Sequence, residues 1–166
     1  MIVVEAVPVR GAAGAPEVRL LHACASGLEL RALRACARAE TDASEAPYVS
    51  RSYSHPYALV AWHSAPVGVD IARIEPCELA FVNSICTPSE LSGLCDVTDL
   101  DRHAAVLWCS KEALSKALGD AVDYDPRRLD APTCWPGGRS GPWRARPLAI
   151  AATRHVGWLC WQSDED

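Results

Sequence analysis

Lysine is almost absent from this sequence of 166 residues: fourteen arginines are accompanied only by Lys111 and Lys116, which share one short stretch. A positive excess is absent too. Sixteen basic residues against twenty-one acidic ones give a net charge of −5, which excludes a general nucleic-acid binder held by phosphate neutralisation, although local patches can still take anions. No apolar run approaches the ~18 residues of a membrane span. The opening MIVVEAVPVR has no basic flank or small-residue cleavage site and is interrupted by Glu5 and Pro8, so it reads as a strand rather than a signal peptide. The eight cysteines form no Cys-x-x-Cys pair and no Cys/His cluster at zinc-ligand spacing, which predicts reduced thiols in a cytoplasmic protein. There is no tandem repeat.

What is present, 49% hydrophobic and 22% charged residues, is the profile of one compact domain or two small lobes. Val3, Val7 and Val9 share one face of an opening strand, and residues 11–16 make a turn or short link. A helix is expected over about 26–39, with Ser26 as N-cap and Leu30, Leu33 and Ala37 as its apolar stripe. Arg31, Arg34 and Arg38 repeat that spacing one step round, either as a solvated face or as an anion site. Residues 41–47 form a loop. YALVAW (57–62) and VGVDI (67–71) predict two strands paired as a hairpin through a turn at 63–66. A short helix over 77–85 precedes Thr87 and Glu90, which have the spacing of a capping box. The strongest helix spans 101–118 and is closed by Gly119. A Pro/Gly loop over 132–142, a terminal hairpin from 143–150 and 155–162, and a frayed SDED tail complete an α+β chain.

Alternation on the 67–71 strand puts Gly68, Asp70 and Ala72 on one face and Val69 and Ile71 on the other. Asp70 is then a carboxylate in an apolar strand, either a hard-cation ligand approached across Gly68 or a strand-end acid bonded to a nearby turn. At about 100° per residue on the 101–118 helix, Leu107, Leu114 and Leu118 form the core stripe, while Trp108, Glu112, Ser115 and Lys116 lie on a second face. Glu112 and Lys116 are spaced for an i,i+4 surface pair. Lys111 projects from the core stripe, so its stem snorkels over the core edge or its ammonium meets a carboxylate there.

Gly68-Val69-Asp70, followed by Trp108-Cys109-Ser110-Lys111-Glu112-Ala113-Leu114-Ser115-Lys116-Ala117-Leu118-Gly119, closely resembles the paired patterns of the 4′-phosphopantetheinyl transferases, G-[IV]-D and W-x-x-K-E-A-x-x-K-x-x-G. Ser54-His55, fifteen residues before Asp70, is similar to a third element of that family. The order of elements resembles the surfactin-type branch, with a shortened N-terminal lobe. The resemblance implies two similar α/β lobes in pseudo-twofold relation, each a small antiparallel sheet packed on a long helix, with residues 1–65 as the first lobe and 66–166 as the second. It also implies transfer of the phosphopantetheine arm of coenzyme A to a serine of an acyl or peptidyl carrier protein, releasing 3′,5′-ADP, as a holo-acyl-carrier-protein synthase type enzyme of fatty-acid, polyketide or nonribosomal peptide biosynthesis.

Pyrophosphate cleavage needs a cation, donors for the leaving phosphate and a base. The resemblance assigns Asp70 and Glu112 to Mg²⁺, or Mn²⁺, and Lys116 to the pyrophosphate. It makes Glu112, or a water on the metal, the base, and has Lys111 orient the carboxylates and contact coenzyme A. By the same resemblance Ser54 and His55 would hold the 3′-phosphate, and Arg31 and Arg34, unless they are only a solvated face, would replace the anion site of the shortened lobe. The surfactin-type Asp-x-Glu strand has Ala72 at its second position here, leaving one ligand to water, and Ser52 and Pro56 stand where the family has Asn and Ser. The expected enzyme is a cytoplasmic monomer without nucleic-acid or membrane partners. The alternative of a different class is a degenerate transferase-like module that binds coenzyme A or a carrier without catalysis.

Overall fold

The computed structural model describes residues 1–10, 14–24, 30–121, 123–152 and 154–163. Ser26, expected to cap the first helix, lies outside the described residues, as do part of the 11–16 link and most of the acidic tail.

Two four-stranded antiparallel sheets divide the chain in an α+β fold. The first contains β1 (Ile2–Ala6), β2 (Glu17–Ala23), β3 (Tyr48–Ser54) and β4 (Tyr57–His63), in the order β1-β2-β4-β3. The helix α1 (Leu30–Asp42) covers its outer face, burying Leu33 and Ala37 against Leu21, Ala58 and Val60. The second sheet starts with β5 (Val67–Arg73). Two short helices, α2 (Leu79–Ile85) and α3 (Pro88–Ser92), then lead to α4 (Leu100–Leu118). The chain ends in β6 (Arg139–Ser140), β7 (Trp143–Leu148) and β8 (His155–Gln162), and the sheet order is β5-β8-β7-β6.

The inner faces of the two sheets meet in one core, where Val18, Leu20, Leu59 and Ala61 pack with Val69, Ile71, Leu159 and Trp161. Helix α4 covers the outer face of the second sheet through Cys109, Ala113 and Ala117 against Ala145, Trp158 and Cys160. The layers therefore run α1, first sheet, second sheet, α4. Among the described residues no helix is long and apolar enough to cross a membrane.

The expected hairpin of 57–62 and 67–71 does not form. Instead β4 pairs with β2 and β3, whereas β5 pairs with β8, and the stretch between them carries the chain from one sheet to the other. Both strands are covered on both faces, so their apolar runs carry no information about which neighbour they take. The capping box is present: Thr87 accepts from the Glu90 N–H, and Glu90 accepts from the Thr87 N–H at 2.8 Å. Gly119 closes α4 in the left-handed region, at φ 85°. All eight cysteines are free, and burial pushes the Cys109 and Cys160 thiols well up.

Candidate active site

The edge strands of the two sheets meet side by side, joined by serine side chains. Ser50 Oγ accepts from the Val69 N–H at 3.0 Å and Ser52 Oγ from the Ile71 N–H at 3.2 Å, so two outward backbone donors of β5 are satisfied without a ladder. Ser52 also donates to Asp70 Oδ1 at 2.6 Å. The residue that departs from the family pattern at position 52 thus holds the strand carboxylate.

On its other side, β5 lies unusually close to α4. A Cβ on Gly68 would stand 1.9 Å from the Ala113 carbonyl oxygen and 2.6 Å from the Ala117 nitrogen, so only glycine lets strand and helix approach this closely. The approach brings Lys116 Nζ to 2.6 Å from Asp70 Oδ1 and 3.1 Å from the Val69 carbonyl oxygen. Asp70 is buried, and the Lys116 side chain keeps 21% of its surface exposed. The expected i,i+4 pairing of Glu112 with Lys116 is replaced by this cross-element pair, and Glu112 Oε1 accepts from the Tyr124 hydroxyl at 2.5 Å. Burial pushes the Glu112 carboxyl up; the Tyr124 bond pulls it back, the Asp70 charge adds to the rise and Lys116 opposes it.

A cavity of about 760 Å³ opens further along β5 and α4, and Asp70, Glu112 and Lys116 are not among the residues that line it. Ser54, His55, Ala72 and Cys77 line it, with Phe81 and Trp108 at 6.0 Å between ring centroids. Ala72 is two positions beyond Asp70 on the same strand face, and Trp108 is one helical turn before Glu112. The cavity therefore stops two strand positions from Asp70 and one helical turn from Glu112.

The other expected site residues divide. Ser54 and His55 are at the cavity, at the turn between β3 and β4. Arg31 and Arg34 are not among its lining residues; both are exposed on α1, and the Arg34 guanidinium lies 5.4 Å from the centroid of the Tyr53 ring. The expectation for Lys111 is corrected. Its side chain is fully buried, and its ammonium gives all three N–H bonds inside the protein, to Ile85 O at 2.7 Å, Glu90 Oε2 at 2.6 Å and Pro126 O at 2.8 Å. The carboxylate it meets is Glu90, not Asp70 or Glu112, and no proton is left for coenzyme A.

Sequence reasoning missed Tyr124, which lies in the segment after α4 where no periodicity marks it. Ser52 was visible only as a departure. Glu90 was visible as a capping residue, but nothing in the spacing links it to a lysine 21 residues away.

The donor set fits a hard divalent cation. Asp70 and Glu112 are carboxylates, the oxygen donors a hard cation takes, on a strand and a helix that Gly68 lets approach closely. Among the described residues no third His, Cys, Asp or Glu completes a cluster, so the remaining ligands fall to water and substrate phosphate, as Mg²⁺ commonly accepts.

A family model described as the 4′-phosphopantetheinyl transferase superfamily matches residues 66–148, half of the chain. The matched stretch includes β5 and α4 and begins after Ser54 and His55. No curated protein matches the chain.

Proposed function

The chain belongs to the 4′-phosphopantetheinyl transferase superfamily, and from that premise we propose that it moves the phosphopantetheine arm of coenzyme A to a serine of an acyl or peptidyl carrier protein. The observation that carries this reading is the 2.6 Å contact between Asp70 and Lys116, with Glu112 one turn before Lys116 on the same helix. In the proposed step the serine oxygen bonds to the phosphorus that bears the pantetheine arm. The bond from that phosphorus to the bridging oxygen breaks, and the bridging oxygen leaves with 3′,5′-ADP. Asp70 and Glu112 would hold Mg²⁺ or Mn²⁺, which supplies charge neutralisation at the phosphate oxygens.

Glu112, or a water held by the metal, takes the serine proton. Lys116 has two of its three N–H groups on Asp70 and Val69, and directs the third to the leaving phosphate. Ser54 and His55 bind the 3′-phosphate in the cavity, with Arg31 and Arg34 drawing the polyanion from outside. We take residues 1–65 and 66–166 as the two lobes of a cytoplasmic, monomeric, surfactin-type enzyme of polyketide or nonribosomal peptide assembly. The presence of two sheets and two covering helices in one chain supports that branch.

Incubation with a panel of apo carrier proteins, coenzyme A and Mg²⁺, read by intact mass, is expected to add the arm to at least one carrier. Glu112→Gln should lower the rate roughly 100-fold with an unchanged circular dichroism spectrum. Lys116→Arg should lower it roughly tenfold or more, because a planar fork does not replace a compact ammonium lodged between a carboxylate and a carbonyl. Single Arg31→Lys or Arg34→Lys changes should have much smaller effects. Ala72 at the metal-site position favours a second reading, a binding module without catalysis. Calorimetry showing coenzyme A binding indifferent to Mg²⁺, together with no transfer to any carrier, would support it instead.

A further inference from the structure

We propose that Tyr124 is a positioning residue for Glu112. The inference rests on the transferase reading for its kinetic consequence but not for its geometry. Glu112 and Lys116 are i and i+4 on α4, the natural arrangement for a side-chain ion pair, yet Lys116 is drawn across to Asp70. Left alone, the Glu112 carboxylate would compete for that ammonium or turn to solvent. The Tyr124 hydroxyl fixes it instead, donating to Oε1 at 2.5 Å in a partly buried setting. A neutral donor holds the group without cancelling its charge, and Oε2 remains for a cation or a substrate hydroxyl.

The segment carrying Tyr124 is anchored on both sides. Before it, the left-handed turn at Gly119 lets the Asp120 N–H reach the Ser115 carbonyl at 2.9 Å. Beyond it, the Pro126 carbonyl accepts from Lys111 at 2.8 Å, and Asp125 accepts from the Arg127 N–H at 3.0 Å. The buried lysine thus serves the site indirectly, by returning the chain along α4 so that residue 124 faces residue 112.

The test is Tyr124→Phe in the full chain, which removes one oxygen and keeps the ring. Transfer kinetics should show kcat down roughly tenfold, with KM for coenzyme A unchanged. Calorimetric titration of Mg²⁺ in the presence of coenzyme A should show affinity also falling roughly tenfold. In a Glu112→Gln background the same change should add nothing to either loss. Losses that add fully in that background, a shift confined to KM, or kcat and Mg²⁺ affinity both unchanged would each overturn the proposal. If the unaltered protein modifies no carrier, the transferase reading fails. Weakened Mg²⁺ binding in Tyr124→Phe would then still sustain the positioning role, and unchanged binding would end it.

Discussion

Gly68→Ala is expected to destabilise the protein by about 4 kcal/mol or more, a loss that chemical denaturation would read as a large drop in midpoint at constant slope. The added Cβ would meet the Ala113 carbonyl at 1.9 Å and the Ala117 nitrogen at 2.6 Å, and both atoms belong to the backbone of α4, which no rotamer change can move aside. Relief requires the helix to lift from the strand. That would open the packing of Cys109, Ala113 and Ala117 on the second sheet and pull Lys116 off Asp70, so transfer should fall with stability. Gly157→Ala is the internal comparison. Its Cβ would meet only side-chain atoms of Leu59, Leu148 and Ile150 at 3.2 to 3.5 Å, and should cost about 1 kcal/mol, at the low end for overpacking. Equal and small losses at the two positions would mean that β5 and α4 have more room than the contact distances give them.

Lys111→Met should cost about 3–5 kcal/mol, measured in the same way. Removing the ammonium leaves the Glu90 carboxylate, with a side chain only 4% exposed, buried beside an apolar thioether, and strips the Ile85 and Pro126 carbonyls of their donor. Glu90 also receives the N–H groups of Thr87 and Ala131, each at 2.8 Å, so three separate stretches of chain meet at this pair. The double variant Lys111→Met/Glu90→Gln should be less destabilised than Lys111→Met alone, because it no longer buries an unpaired charge; a double variant worse than the single would refute this account. Transfer should fall in the single variant beyond what stability explains, since Pro126 belongs to the segment that carries Tyr124.

Much of the site was legible because it lies on elements whose periodicity survives folding. The face of β5 that carries Gly68, Asp70 and Ala72 follows from strand alternation, and α4 announces itself through Leu107, Leu114 and its closing glycine, whereas Leu118 of the expected core stripe is exposed. Strand β2 was not legible for a physical reason. It is central in the first sheet, so adjacent Leu20 and Leu21 are both buried, one in the core between the sheets and the other under α1, and no alternation remains to be read. The mistaken hairpin of β4 with β5 has the same origin.

The ion pairs were illegible for a different reason. Lys116 was spaced to bind Glu112 but met Asp70, 46 positions away, and Lys111 met Glu90, 21 positions away. Helical spacing identifies the neighbours a side chain has on its own helix, and both lysines found their carboxylates on other elements.

The scarcity of lysine and the sealing of Lys111 together have a consequence for the chemistry of the surface. Of the chain's two side-chain amines, one has no exposed surface and all its protons engaged, while the other is 21% exposed beside the Asp70 carboxylate. Acylating or crosslinking reagents directed at lysine side chains therefore have a single address on the folded protein, and it lies within the candidate active site.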